Sequence, residues 1–478
     1  MNIVQITSEC LPFSKTGGLG DVIFSLSKEF IKNKDNVAII TPFYKNGNTS
    51  FFKKISKVAH FKVVMNWREI NCEVYHTLYK KIDYFLIKDD QYFNRDNYYG
   101  YFDDGERFAF FCNAAVELLK IMPFKVDICH VHDHQTGMIP CLLKVKYKDH
   151  LTLGHIKTVL TIHNPLFKGF LDSSALFDLY NLNADIYNNG KVRLEGKVST
   201  LKAGIVYSDK ITTVSPTHAQ ELLTKEGSKG LDYDLVLRKD DFYGFVNGID
   251  YEFFNPKTDK CIYYNYGSEN VDAGKKRNKV AFCKEHNLDA KKPLFGVCSR
   301  LTDQKGIDVL TAMADFVVNE GGCFVLLGSG ERWAEDSFRK LKNDYPENVF
   351  IQLGYDESLA HKIYASCDFF IMPSKFEPCG IGQLVAQRYG TLPLVRLTGG
   401  LKDTVNCYNG KNAKTANGFG FYNYSVIEGV KCVALTLITY AKKGKTMTTL
   451  RKNAMKTDNR WAKTAHSYLD LFSKLLRV

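Results

Sequence analysis

Short apolar runs and amphipathic stretches alternate along almost the whole chain, the pattern of strands buried on both faces by covering helices. The first run, Ile3 to Thr7, reads as a buried strand. A glycine-rich turn then leads into a helix with Val22, Ile23, Leu26 and Phe30 on one face. Further strands are predicted at Val37 to Thr41, Asp127 to Val131, Thr158 to Ile162 and Lys210 to Val214, each followed by a loop bearing polar residues. The rhythm restarts at Leu294 to Cys298 and continues through Phe324 to Leu327, Val349 to Leu353, Asp368 to Met372 and Leu392 to Val395. The expected fold class is α/β with two doubly wound Rossmann-like domains, and ligand chemistry belongs on the loops after the strands.

The segment Phe245-Val246-Asn247-Gly248-Ile249-Asp250 separates the two halves, and its Asn-Gly pair supplies a turn and a hinge between the sheets. The expected domains are residues 1–246 and 247–460. The last stretch, Ser425 to Val478, is helical in pattern, with Ala465, Tyr468, Leu469, Phe472 and Leu476 spaced to form an apolar face. A chain of 478 residues fits two large domains.

Composition narrows the partners. Lys and Arg total 64 against 52 Asp and Glu, a net charge of +12 that favours anionic ligands such as nucleotides without choosing among them. The densest cluster, Lys275-Lys276-Arg277 with Lys279, has no interleaved aromatics, so it reads as a solvated surface segment and no nucleic acid is expected. Thirteen cysteines without a C-x-x-C pair argue against a secreted disulfide framework or a zinc ribbon and for a reducing cytoplasm. The N-terminus carries no basic leader before an apolar run, and the longest apolar stretches, such as Val433 to Ala441, are too short to span a bilayer. Neither export nor membrane insertion is expected.

Four loops carry candidate chemistry. Lys15-Thr16-Gly17-Gly18-Leu19-Gly20-Asp21 opens the first helix, where free backbone N–H groups and the helix dipole favour an anion, although Ile23 stands where a dinucleotide fingerprint needs its last glycine. Arg300 and Lys305 lie on a strand-to-helix loop and could meet a diphosphate. Glu377 follows a strand and precedes a helix starting near Gly380. His130-Val131-His132-Asp133-His134 has the alternation a metal site could use, yet imidazoles at a strand end equally bind sugar hydroxyls.

Lys15 to Val22 resembles the N-terminal signature of bacterial glycogen synthases and plant starch synthases. Ser299-Arg300-Leu301-Thr302-Asp303-Gln304-Lys305-Gly306 and Pro373-Ser374-Lys375-Phe376-Glu377-Pro378-Cys379-Gly380 match that family in order and separation. Similar matches at Leu201-Lys202-Ala203-Gly204, Val214-Ser215-Pro216, Val246 to Asp250 and Thr398 to Val405 extend the resemblance nearly end to end. It implies the GT-B glycosyltransferase arrangement, two Rossmann-like domains facing across a cleft, with residues 461–478 as a helix returning to the first domain.

The resemblance also implies roles. Lys15, with Gly17 and Gly18, binds the sugar-nucleotide donor; Glu377 contacts hexose hydroxyls; Cys379 and Gly380 line the same wall through backbone groups. His163, in Thr161-Ile162-His163-Asn164, lies beside the donor glucose, and Asp133 carries over from the H-x-H-D motif. Asn247, Asp21, Glu9 and Tyr99 are sugar or acceptor contacts, and Tyr355 stacks on the nucleobase. The chain departs from the family at Gly382 and Val385, where Thr and Tyr are usual, and at His134 and Gln135, where Trp and His are usual.

The activity implied is transfer of glucose to the non-reducing 4-OH end of an α-1,4-glucan such as glycogen, with retention of configuration. The expected donor is ADP-glucose, with UDP-glucose as the alternative, and no metal or other cofactor is expected. No second carboxylate is placed like a glycosidase nucleophile, which points to a front-face route. Two other readings are a sugar-nucleotide epimerase or phosphorylase of the same architecture and a catalytically silent glucan-binding protein.

Overall fold

In the computed structural model, which describes residues 1–442 and 444–477, the chain divides into two units: residues 1–245 with the stretch from Trp461 onward, and residues 246–460. The strands of the first unit are β1 (Asn2–Ile6), β2 (Asn36–Pro42), β3 (Ser56–Met65), β4 (Arg68–Tyr79), β5 (Ile82–Lys88), β6 (Ile128–His132), β7 (Lys157–Ile162), β8 (Phe170–Leu171), β9 (Arg193–Leu194), β10 (Lys197–Ser199), β11 (Lys210–Thr213) and β12 (Phe242–Gly244). Nine of them form one sheet in the order β12-β11-β7-β6-β1-β2-β5-β4-β3. β1 lies at its centre because Ile3, Val4 and Ile6 are fully buried and hydrogen-bond in parallel register to β2 on one side and β6 on the other. The strand order reverses at β1, so the crevice past its carboxyl end is the place where a doubly wound sheet takes a ligand.

The edge hairpin of β3 and β4, antiparallel to each other and joined to the sheet by the antiparallel pairing of β4 with β5, was absent from the sequence expectation. These strands have one face in solvent, and polar residues interrupt any continuous apolar run: Cys72, Val74 and Thr77 are buried along β4 while Glu69, Asn71 and Thr77's neighbour Leu78 are exposed.

The second unit has β13 (Leu294–Cys298), β14 (Cys323–Gly328), β15 (Val349–Leu353), β16 (Phe369–Met372), β17 (Leu392–Arg396) and β18 (Phe419–Phe421). All pair in parallel, in the order β15-β14-β13-β16-β17-β18, and the order reverses between β13 and β16. The loops after β13 and β16 therefore flank the switch point of this sheet. Among the described residues no helix is long and apolar enough to cross a membrane.

The helical C-terminal stretch breaks into Val426–Ala441, Lys445–Lys456 and Trp461–Leu476. The last helix packs on the first unit, with Tyr468 and Phe472 against Phe30 at ring-centroid distances of 6.4 and 5.8 Å. Leu475 is buried there, whereas Leu476, expected on that face, is exposed. No turn forms at Asn247-Gly248: Ile249 N donates to Asn459 O at 2.8 Å and Ile249 pairs in parallel with Arg460, so the two connecting segments hold each other in place of a turn.

The reading of Lys275 and Lys279 as solvated surface is overturned. On the helix Val271–Glu285, residues 275, 278, 279 and 282 fall on one buried face, while Lys276, Arg277 and Val280 face water. Lys279 Nζ pairs with Asp368 Oδ2 at 2.6 Å, and Arg451 takes the other carboxylate oxygen at 2.7 Å. Lys275 is buried without a carboxylate partner. Its Nζ donates to Thr391 Oγ1 at 2.6 Å and to Ala365 O, Tyr364 O and Tyr389 O at 3.0, 3.3 and 3.4 Å. Those carbonyls end the helices Glu357–Ser366 and Gly382–Arg388, so one ammonium caps two helix C-termini.

Burial pulls the Lys275 ammonium down to about 7. Between that value and the ordinary lysine range the unfolded chain binds the extra proton, so this residue's contribution to stability rises with pH and is lost as pH falls through 7. The unfolding free energy of the wild type should gain on that of Lys275→Met between pH 7 and 9, by up to about 1.4 kcal/mol per pH unit. Urea titrations across that range measure it; parallel curves would contradict the burial of a titrating amine.

Candidate functional site

The first unit gathers its predicted residues at the carboxyl ends of β1, β6 and β7. Gly17 is the extended N-cap of the helix Gly18–Lys32 and offers no side chain to its first turn, so the leading N–H groups are left for a ligand. Asp21 in that turn pairs with Lys15 Nζ at 2.8 Å, both partly exposed. Glu9 is buried beside the same loop and accepts from Thr16 N and, at 3.1 Å, from Thr16 Oγ1. Burial raises its pKa above the ordinary carboxylate value, while these hydrogen bonds work against the shift. Tyr99 reaches the end of β1 through a 2.7 Å hydrogen bond between its hydroxyl and Ser8 Oγ.

Asp133 follows β6 directly and has φ of +56°, a left-handed conformation that Asp tolerates better than most residues. Its Oδ1 accepts from His163 N at 2.7 Å and Asn164 N at 3.2 Å, which joins the ends of β6 and β7. Burial pushes the Asp133 carboxyl up to about 7, against the pull of those two amides. His163 is half-buried, and burial lowers its imidazole to about 3, so it is neutral at physiological pH. The His130-His132-His134 alternation forms no metal cluster: His130 Nε2 meets Thr161 Oγ1 at 2.7 Å and His132 lies between Gln5 and His163.

In the second unit the ends of β13 and β16 meet. Lys305 Nζ pairs with Glu377 Oε2 at 2.6 Å, and Ser374 Oγ donates to the same oxygen at 3.0 Å. The two side chains are 18% and 8% exposed, so the pair is largely withdrawn from water. Arg300 stands exposed at the start of the same loop with no ion-pair partner among the described residues. A cation in a half-buried pair and a second, open cation flank the sheet's switch point, an arrangement suited to an anion of several charges.

Gly380 has φ of +76°, which explains glycine there, and the helix expected near Gly380 begins at Gly382. At 382 a Cβ would lie 2.9 Å from Phe370 Cε1, so any larger side chain requires that ring to shift. The Cys379 thiol is buried and pushed up to about 12, with Asn247's backbone bonded to it, which leaves it protonated and without nucleophilic character. Tyr355 lies 77% exposed just past β15.

Sequence reasoning missed the residues that brace this loop. Gln383 is fully buried and its Nε2 donates to Cys379 O and Gly380 O at 3.0 and 3.1 Å. Arg396 NH1 donates to Lys375 O at 2.6 Å. Gln383 left no signal in the sequence, since its burial and its acceptors exist only in the folded loop. Among the described residues, Asp259, Cys261 and His361 have ligand atoms within 4.8 Å of one another. There Asp259 Oδ2 is taken up by His361 Nδ1 at 2.7 Å and by the Tyr389 hydroxyl at 2.5 Å.

Residues 2–237 match the starch synthase catalytic domain family, and residues 279–454 match glycosyl transferases group 1. The chain is 41% identical to a glycogen synthase of Clostridium beijerinckii over 99% of both chains. It is 40% identical to a glycogen synthase of Streptococcus pneumoniae over the full length of both. Its structure is similar to the catalytic domain of starch synthase IV from Arabidopsis thaliana bound to ADP and acarbose. That match has a TM-score of 0.92 and 31% identity and covers 100% of this chain and 99% of that one. A sucrose-phosphate synthase from Thermosynechococcus elongatus, at 14% identity and TM-score 0.62 over 100% of this chain and 99% of that one, shares the fold.

If Asp133 acts by accepting the His163 and Asn164 amides, Asp133→Asn should keep turnover within about threefold, whereas Asp133→Ala should lower kcat about a hundredfold. Steady-state kinetics on both variants, with thermal melts to confirm folding, decide it; equal losses in the two would show that the charge itself is needed.

Proposed function

The chain belongs to the bacterial glycogen synthase and starch synthase family of hexosyltransferases, with the GT-B fold of two Rossmann-like domains, and on that premise we propose that its donor is ADP-glucose. It is a glycogen synthase in activity: a glucosyl unit passes from a nucleotide-activated donor to an α-glucan. The choice of ADP is supported by the plant starch synthase, whose structure holds ADP and acarbose. The observation that carries the assignment of residues is the Lys305–Glu377 pair beside Arg300 at the switch point of the second sheet.

The departing nucleoside diphosphate gathers about three negative charges, and Arg300 and Lys305 are the cations we assign to it in the second unit. Glu377 Oε1 takes no hydrogen bond among the described residues and is the oxygen we assign to hexose hydroxyls. The donor C1–O bond to phosphate breaks as C1 bonds to the acceptor's 4-oxygen on the same face. The 4-OH proton passes to the departing phosphate oxygen, so configuration is retained without a covalent enzyme intermediate. His163, neutral, and Asp133 line the glucose side in this scheme, with Lys15, Asp21, Glu9, Tyr99 and Asn247 as donor or acceptor contacts and Tyr355 against the base. The scheme requires no metal or cofactor. Thirteen unpaired cysteines, most of them buried, support a reducing cytoplasm as its location.

Glycogen incubated with radiolabelled ADP-glucose or UDP-glucose, without added metal, tests the proposal. Label should enter polymer with kcat/KM at least about tenfold higher for ADP-glucose, and Glu377→Ala should lower incorporation about a hundredfold or more. Equal efficiencies would refute the choice of base. No incorporation from either donor by folded wild type that binds glycogen would replace the transferase with a silent glucan-binding protein.

A further inference from the structure

Gln5 is a polar residue in the middle of the central strand β1, fully buried between Val4 and Ile6. An amide in such a place is costly unless both of its ends are bonded. They are: Nε2 donates to Ser27 Oγ at 2.7 Å, and Oε1 meets His132 Nε2 at 3.1 Å. Ser27 and His132 are also fully buried. His132 Nδ1 in turn meets His163 Nε2 at 3.1 Å. Four side chains from β1, the helix Gly18–Lys32, β6 and the end of β7 thus form one hydrogen-bonded line ending at the half-buried His163.

The direction of that line is set by its chemistry. A carboxamide oxygen only accepts, so the His132 Nε2 facing it carries the proton. Burial holds His132 well below the ordinary histidine pKa and His163 at about 3, so each ring has one proton and not two. His132 Nδ1 is then an acceptor, and His163 Nε2 must be the donor to it. The remaining nitrogen, His163 Nδ1, is a bare lone pair. It has no partner among the described residues and, unlike His130 Nδ1, is not one of the sealed unsatisfied atoms of the core.

We propose that Gln5 and His132 are positioning residues that hold His163 as the Nε2–H tautomer, so that its Nδ1 presents a hydrogen-bond acceptor to a hydroxyl of the transferred sugar. The inference rests on the glucosyl-transfer reading and deepens it: this wall of the site accepts a sugar OH and has no proton to give. A donor whose corresponding hydroxyl is replaced by fluorine, which cannot donate, loses the contact and leaves a desolvated imidazole nitrogen unpaired.

Long-range proton–nitrogen NMR of the full chain labelled on histidine nitrogens, with the His163 signal assigned from His163→Gln, reads the tautomer directly. In wild type at pH 7.5, Nδ1 of His163 should be unprotonated and Nε2 protonated. In Gln5→Met, with His132's acceptor gone, both tautomers of His163 should be populated, and kcat should fall about tenfold with the donor KM within about twofold. Ser27→Ala, which frees the amide to turn over, should mix the tautomers in the same way and provides the test if Gln5→Met fails to fold. An Nδ1–H tautomer or an imidazolium in wild type overturns the proposal, as does an activity loss in Gln5→Met with His163 unchanged. Wild type that has the expected tautomer yet transfers no glucose supports the relay and counts against the transfer reading alone.

Discussion

The ion pair of Lys305 Nζ and Glu377 Oε2 is the interaction on which the second unit's site depends. It closes the gap at the one place where the sheet's strand order reverses, joining the loop after β13 to the loop after β16. Neither residue could be kept there alone, because removing one partner of a largely buried pair leaves an uncompensated charge at a cost of about 3–5 kcal/mol. Together they keep a cation and a carboxylate in fixed positions without a ligand, a preorganisation that the chemistry of a departing diphosphate requires. Ser374 holds the Glu377 carboxylate while Gln383 and Arg396 pin the surrounding backbone, so the pair is held by the loop and holds it in return.

Behind that face, charge is again used in the interior. Lys279 and Arg451 converge on Asp368 immediately before β16, and Lys275 caps the ends of two helices, one of which begins just after Gly380. The strand and the helix that carry the Glu377 loop are thus anchored at their far ends by buried basic side chains. In the first unit the corresponding work falls to hydrogen bonds: Asp133 joins the ends of β6 and β7 through backbone amides, and a line of amide and imidazole side chains runs beneath His163.

The parallel strands were legible because burial on both faces leaves continuous apolar runs, and Leu294–Cys298 and Val349–Leu353 coincide with the expected spans. The β3–β4 hairpin was not, since its one solvated face breaks those runs. Lys275 and Lys279 were misread because a cluster of charges was judged by composition and not by helical period; their spacing of four sets both on the inner face with Phe282. Gln5 and Gln383 drew no notice, as a lone amide in an apolar run has no chemistry until its partners, distant in sequence, are known. The loops themselves were legible as loops after strands. That Lys305 and Glu377, 72 residues apart, share one hydrogen bond was not, since long-range pairing is a property of the sheet order.

The central claim is that Lys305 and Glu377 act as a unit, and a double-mutant cycle on glucosyl transfer tests it most directly. The rate constants of wild type, Lys305→Met, Glu377→Gln and the double variant should be strongly non-additive, the second substitution costing far less once the first is present, with a coupling of about 2 kcal/mol or more. Additive effects, within about 0.5 kcal/mol, would contradict the account and show two residues that are neighbours without sharing a task.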